Sequence, residues 1–184
     1  MNLTIGTGGR PVIKNILCAL DGSSDAEKAL ELAIAMAQKF DARLVLFHVL
    51  MRNLDTEEVR RFSEIEGLAR ESVAEVKRLQ TVDGRVEVGL PYDAKIIPSD
   101  MLVKLAQHIL KSAQADAEAK GVSNTTIIMG DGDPAARILA CAKQENIDCI
   151  ILGGRGLSNI QALFEGSVAR KVSNRAECTT ISAR

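Results

Sequence analysis

Short apolar runs alternate with segments of helical period along this 184-residue chain, and that alternation constrains its fold more than any other feature. Residues 15–20 (NILCAL) and 42–50 (ARLVLFHVL) are almost continuously apolar, so as strands they have no face to offer water. Strands of that kind belong in a parallel sheet covered on both sides, because a half-solvated antiparallel strand would alternate. Residues 125–129, 148–152 and 179–183 read as three further strands. Between them, apolar residues recur at the spacing of one helix face. Residues 24–40 carry Ala26, Ala29, Leu30, Ala33 and Ala37, and residues 99–120 carry Leu102, Leu105, Ala106, Ile109 and Ala113. Residues 134–146 carry Ala135, Ile138, Leu139 and Ala142, and a shorter helix is predicted over 167–174. Strand–helix alternation with right-handed crossovers predicts an α/β fold, a Rossmann-like doubly wound sheet of five parallel strands.

Local signals set the element ends. Ser24-x-x-Glu27 reads as a capping box, Gly121 as a helix-terminating glycine, Asp133 as an N-cap and Pro134 as a first helical residue. The connection over 51–122 is long. Residues 56–80 are charged and helix-prone, with Val59, Phe62, Leu68, Val73, Val76 and Leu79 apolar, and residues 81–98 are broken by Gly84, Gly89, Pro91 and Pro98. Residues 1–11 read as a loose tail. The expectation is one domain, 1–184, with an enlarged helical connection between strands two and three.

Composition excludes several function classes. Lys plus Arg number 23 against 24 Asp plus Glu, a net charge of −1, so the basic excess of a nucleic-acid or membrane-surface binder is missing. Aromatic residues are 3%, too few for a base-stacking platform. There is neither a signal-type N-terminus nor a run of about 18 apolar residues, so the expected location is the cytoplasm. Cys18, Cys141, Cys149 and Cys178 form no C-x-x-C pair and only two His are present, which argues for buried thiols and against zinc. His48 is expected at a strand end with a satisfied hydrogen bond, and His108 at or near the surface.

Ligands of open α/β sheets bind beyond the carboxyl ends of the strands. The residues there are Asp21-Gly22-Ser23-Ser24, His48-Val49, Gly130-Asp131-Gly132-Asp133 and Gly153-Gly154-Arg155-Gly156, with Gly166-Ser167 opening the last helix. Glycines permit close backbone approach and a helix N-terminus offers unpaired N–H groups, so phosphate binding is one reading. Over residues 153–175, Arg155, Arg170, Lys171 and Arg175 stand against Glu165 alone, an excess of positive charge that would suit an anion. The other reading is that loops are glycine-rich and helix C-termini favour cations.

Gly153-x2-Gly156-x9-Gly166-Ser167 resembles the ATP-binding pattern of the universal stress protein family. KNILCALDGSSDAEKALELA, LVLFHVL and GDPAARILACAKQENIDCIILGGRG are similar to that family's first strand and helix, second strand, and third helix with fourth strand. The resemblance spans about residues 12–50 and 121–183, and implies an adenine nucleotide alpha hydrolase-like fold. It implies that Asp21 contacts the nucleotide near its adenosine end and that the Val49 backbone reads the adenine edge. It places Ala19, Leu152 and Gly153 at the strand ends lining the site. It places Arg155, Gly156, Gly166, Ser167 and Val168 around ribose and phosphates. For Asp21 a plain turn carboxylate, and for Val49 plain strand packing, are the competing structural readings.

The implied ligand is ATP, with or without Mg2+, and AMP or cAMP would share the adenine and ribose contacts. The implied role is regulatory, in a stress response, as a homodimer through the C-terminal strand. Thr179, Thr180 and Ser182 make that strand more polar than is usual in the family. A nucleotide-free module that binds a protein partner through 51–122 is the competing reading. Related ATP-dependent ligases carry a Ser-Gly-Gly-x-Asp-Ser loop after strand one, whereas Asp21-Gly22-Ser23-Ser24-Asp25 lacks its glycine pair. The expectation is therefore at most slow ATP hydrolysis.

Overall fold

The apolar runs pair side by side, as strands with no solvated face must. The computed structural model describes residues 13–50, 99–155 and 166–184. The tail, the charged segment 56–80, the broken stretch 81–98 and Gly156 lie outside these residues. The described strands are β1 (Asn15–Ala19), β2 (Arg43–Leu50), β3 (Thr125–Asp131), β4 (Cys149–Gly153) and β5 (Thr179–Ala183). The described helices are α1 (Ser24–Phe40), α2 (Ser99–Ala119), α3 (Pro134–Gln144) and α4 (Ser167–Ser173). All strand pairs are parallel, in the order β3-β2-β1-β4-β5. The doubly wound five-stranded sheet is thus as predicted.

Alternate side chains of each strand serve opposite layers. Ile16, Cys18, Leu44, Leu46, Cys149 and Ile151 pack beneath α1 and α2. Leu17, Val45, Phe47, Val49, Ile150 and Leu152 pack beneath α3 and α4. Burying each large aliphatic among them contributes roughly 1.5–3 kcal/mol. Arg43 and His48 are the polar residues of their run; the Arg43 guanidinium reaches the Glu145 carboxylate at 2.8 Å, joining the start of β2 to the end of α3. Asp148 ties together the strand starts at the end of the sheet remote from α1's first turn. Its carboxylate accepts the Lys14 and Asn15 amides at 2.7 and 2.9 Å, its N–H donates to the Asn15 carbonyl, and its carbonyl accepts from Thr179.

Helix ends follow the local chemistry, with two shifts. Asp133 caps α3, accepting from the Ala136 amide at 2.9 Å, and Pro134 opens it. Gly121, at φ +84°, ends α2 with the Gly121 and Val122 amides returning to Glu118 and Ala117. Asn146 does the same for α3, so this helix stops at Gln144, short of Asn146. The N-cap of α1 is Ser23, which displaces the expected capping box by one residue: its hydroxyl accepts from Ala26, and its carbonyl takes the first helical bond from Glu27. β3 runs two residues beyond its expected end at Met129, through Gly130. Gly130 is there for packing rather than turning, since a Cβ on it would meet the Phe47 ring at 2.9 Å.

Replacing Asp133 by Ala removes the α3 cap and the 3.7 Å approach of Lys171. Urea unfolding should show a loss of about 1 kcal/mol.

Candidate functional site

Strand order reverses between β1 and β4, since the chain leaves β1 toward β2 on one side and reaches β4 on the other. Beyond such a reversal the connections diverge and leave a crevice. Here it holds a cavity of about 100 Å³, open to solvent. Ala19, Asp21, Val49, Leu152, Gly153, Gly166, Ser167 and Val168 line it, so eight of the ten residues singled out from sequence come together. Arg155 is exposed and stands outside the lining, though its carbonyl accepts from the Ser23 hydroxyl at 3.3 Å.

Leu20, Phe47, Pro134, Ile138 and Ala169 complete the walls. Periodicity could have found two of them. Phe47 lies two residues before Val49 on the same strand face, and Ile138 lies one helical turn after Pro134. Asp21 and Ser167 are the polar side chains of the described lining; the rest of it is apolar side chain or glycine.

The Asp21 carboxylate is held in place by its own turn. Its Oδ1 accepts from the Ser23 amide at 3.0 Å and the Ser23 hydroxyl at 2.6 Å, and Gly22 takes φ +81° between them. Asp21 is therefore a turn carboxylate and a crevice residue together.

The described glycines have a packing purpose. A Cβ on Gly153 would sit 2.9 Å from the Ala26 nitrogen, and one on Gly154 would sit 3.0 Å from the Ala183 carbonyl oxygen. A Cβ on Gly166 would sit 3.1 Å from the Gly154 carbonyl oxygen, which already accepts the Gly166 amide at 2.7 Å. These positions let α1, β5 and the start of α4 close around the end of β4. The Gly166 N–H is spent on that closure. The first N–H groups left over by α4 are those of Ser167, Val168 and Ala169.

Three of the four cations lie at the far end of α4. Arg170 and Lys171 occupy the last turn of α4, and Arg175 follows it; all three are exposed. Cations there face the negative end of the helix dipole. No Lys or Arg is among the residues of the described lining.

Backbone direction matters at Val49. In β2 the Arg43 amide bonds to Lys14 and the Phe47 carbonyl accepts from Leu20, both on the β1 side. The Leu44 amide bonds to Asn124, on the β3 side. Odd-numbered residues of β2 therefore direct N–H and C=O toward β1. β1 pairs with β2 only as far as Ala19 opposite Phe47. The N–H and C=O of Val49 thus point past the end of β1, into the crevice.

His48 and Val49 lie within β2 rather than after it. His48 is 3% exposed, and its Nδ1 lies 2.7 Å from the Leu20 carbonyl oxygen. A carbonyl only accepts, so Nδ1 carries the proton. Burial pulls the imidazole pKa below its ordinary value of 6.5, against the upward pull of the Leu20 bond and the Asp21 charge. The satisfied hydrogen bond expected of His48 is present, and His108 is exposed. Cys18, Cys141 and Cys149 are buried and Cys178 is half-buried; burial raises all four thiol pKa values, those of Cys141 and Cys149 to about 11. Among the described residues no group of three His, Cys, Asp or Glu side chains is placed to hold a metal ion, and no helix is long and apolar enough to cross a membrane.

The model of the universal stress protein family matches residues 13–184. A universal stress protein of Bacillus subtilis is 30% identical over 173 residues, 94% of this chain and 100% of that protein. Among solved structures, universal stress protein UspA from Lactobacillus plantarum superimposes with a TM-score of 0.66 at 21% identity, over 96% of this chain and 100% of that one. A universal stress protein in complex with cAMP gives 0.57 at 17% identity, over 94% and 98%. The universal stress protein from Archaeoglobus fulgidus in complex with dAMP gives 0.57 at 16% identity, again over 94% and 98%.

Two outcomes follow from this geometry. Gly153→Ala forces a methyl group against the first turn of α1, and urea unfolding should show a loss of roughly 1–3 kcal/mol. The His48 pKa is lower folded than unfolded, so below about pH 6.5 the unfolded chain binds the extra proton more readily. This group's contribution is full above about pH 6.5 and falls as the pH drops below it. Thermal melts across that range should show the loss in wild type and a smaller one in His48→Asn.

Proposed function

The chain belongs to the universal stress protein family, and from that premise we propose that its crevice binds an adenine nucleotide, ATP foremost. The observation that carries this reading is the pair of Val49 backbone groups directed past the end of β1 between apolar walls. The hydrogen-bonding edge of adenine needs one donor and one acceptor side by side, which a single strand residue offers. Phe47, Ile138, Leu152 and Val168 suit the faces of the base, and Asp21 is an acceptor for ribose hydroxyls. The Ser167 hydroxyl and the first N–H groups of α4 suit phosphate oxygens. Gly156 belongs to the phosphate side by its place in the pattern.

The two similar structures with cAMP and dAMP support the adenosine half of this reading more than the triphosphate half. The position of Arg155, Arg170, Lys171 and Arg175 outside the lining points the same way, because a long phosphate chain would have to reach beyond it. Mg2+ accompanying ATP would be held largely by phosphate and water. The role that follows is regulatory, nucleotide occupancy being read by a partner, with β5 joining two copies at a sheet edge.

Isothermal titration with ATP, AMP and cAMP tests the reading. Binding of at least one is expected, with Ser167→Ala weakening ATP about tenfold through a lost bond to a charged oxygen. Absence of heat for all three at millimolar nucleotide overturns it. Sedimentation at increasing concentration tests the dimer, and a monomer throughout removes that part.

A further inference from the structure

Leu20 is the first residue after β1 and the last before Asp21. Its amide continues the ladder by donating to the Phe47 carbonyl at 2.8 Å. The next rung of a parallel ladder would be Val49 N–H to Leu20 C=O. Among the described residues that rung is not formed; the Leu20 carbonyl bonds instead to His48 Nδ1 at 2.7 Å. His48 alternates with Phe47 and Val49, so its side chain leaves the opposite face of β2 from theirs. It reaches the carbonyl from behind the crevice.

We propose that His48 is a positioning residue for this site: by giving its Nδ1–H to the Leu20 carbonyl it ends the β1–β2 ladder one rung early, leaves the Val49 amide facing the crevice, and holds the turn that carries Asp21. The proposal rests on the adenine-nucleotide reading for its ligand and on the hydrogen bonds alone for its mechanism. A histidine suits the task because its ring is stiff and places a donor at a fixed distance from the strand. With the imidazole replaced by an apolar side chain, the buried carbonyl loses that donor, and the next donor along the ladder is the Val49 amide. β1 and β2 then zip by one more rung, and the donor meant for the base is consumed. His48 does not touch the base itself, and acts through Leu20 and Val49.

The test is amide hydrogen exchange in the nucleotide-free full chain, with ATP, AMP and cAMP titrations beside it. His48→Leu should slow exchange at Val49 and weaken the bound nucleotide about tenfold. Simple loosening of the fold would instead speed exchange there. His48→Asn, whose amide nitrogen can occupy the place of Nδ1, should restore both values, whereas His48→Gln, whose amide lies one bond further out, should not. The Asn and Gln pair keeps the test decisive if the Leu variant folds poorly. Unchanged or faster exchange at Val49 in His48→Leu, or equal behaviour of Asn and Gln, overturns the proposal. A protected Val49 amide in a protein that binds none of the three nucleotides upholds the strand-end device and overturns the nucleotide reading alone.

Discussion

Everything in this molecule follows from the requirement that the strands of the sheet's centre be covered on both faces. β1, β2 and β4 carry aliphatic side chains above and below, and backbone hydrogen bonds run between them where water is excluded. Helices must therefore lie on each side, α1 and α2 on one and α3 and α4 on the other. Covering both faces from a single chain requires the winding to reverse once. The reversal leaves one place where two neighbouring strands send their connections apart, and the crevice is that place. Its existence is a consequence of topology; only its lining is a choice of residues.

The fold was legible because periodicity and burial agree. Runs such as NILCAL and DCIIL have no polar face, so a covered parallel sheet was the one arrangement that suited them. The boundaries were less legible where one residue has two possible uses. Ser23 and Ser24 are both capable caps, and the Asp21 turn, a contact two residues back, decides for Ser23. Gly130 reads as a turn in sequence and stays in β3, because the neighbouring strand's Phe47 ring occupies the space of its Cβ. Such long-range packing leaves no trace in local spacing.

The site was legible in position and less so in chemistry. The glycine spacing pointed to segments that border the crevice, and Gly153, Gly154 and Gly166 are also small so that protein segments can close on one another. A count of charges along residues 153–175 suggested an anion site, yet three of the four cations, Arg170, Lys171 and Arg175, lie at the far end of α4. Spacing locates residues that must be near one another, but not what their atoms face. The orientation of Val49 and the reach of His48 come from the parity of the ladder, which is known only once the strands are in register.

Asp148 gives this architecture a mechanical bias. One carboxylate and one peptide unit fasten the beginnings of β1, β4 and β5 together, far from the crevice. At the opposite ends the fastening passes through the turns, where the Ser23 hydroxyl reaches the Arg155 carbonyl at 3.3 Å and the Gly166 amide bonds to the Gly154 carbonyl at 2.7 Å. The strand starts are thus fastened through one residue, and the strand ends through contacts spread over Ser23, Gly154, Arg155 and Gly166. Loss of the Asp148 carboxylate would therefore release the Lys14 and Asn15 amides at the base of the sheet, while the contacts at the rim where a ligand would enter stay in place.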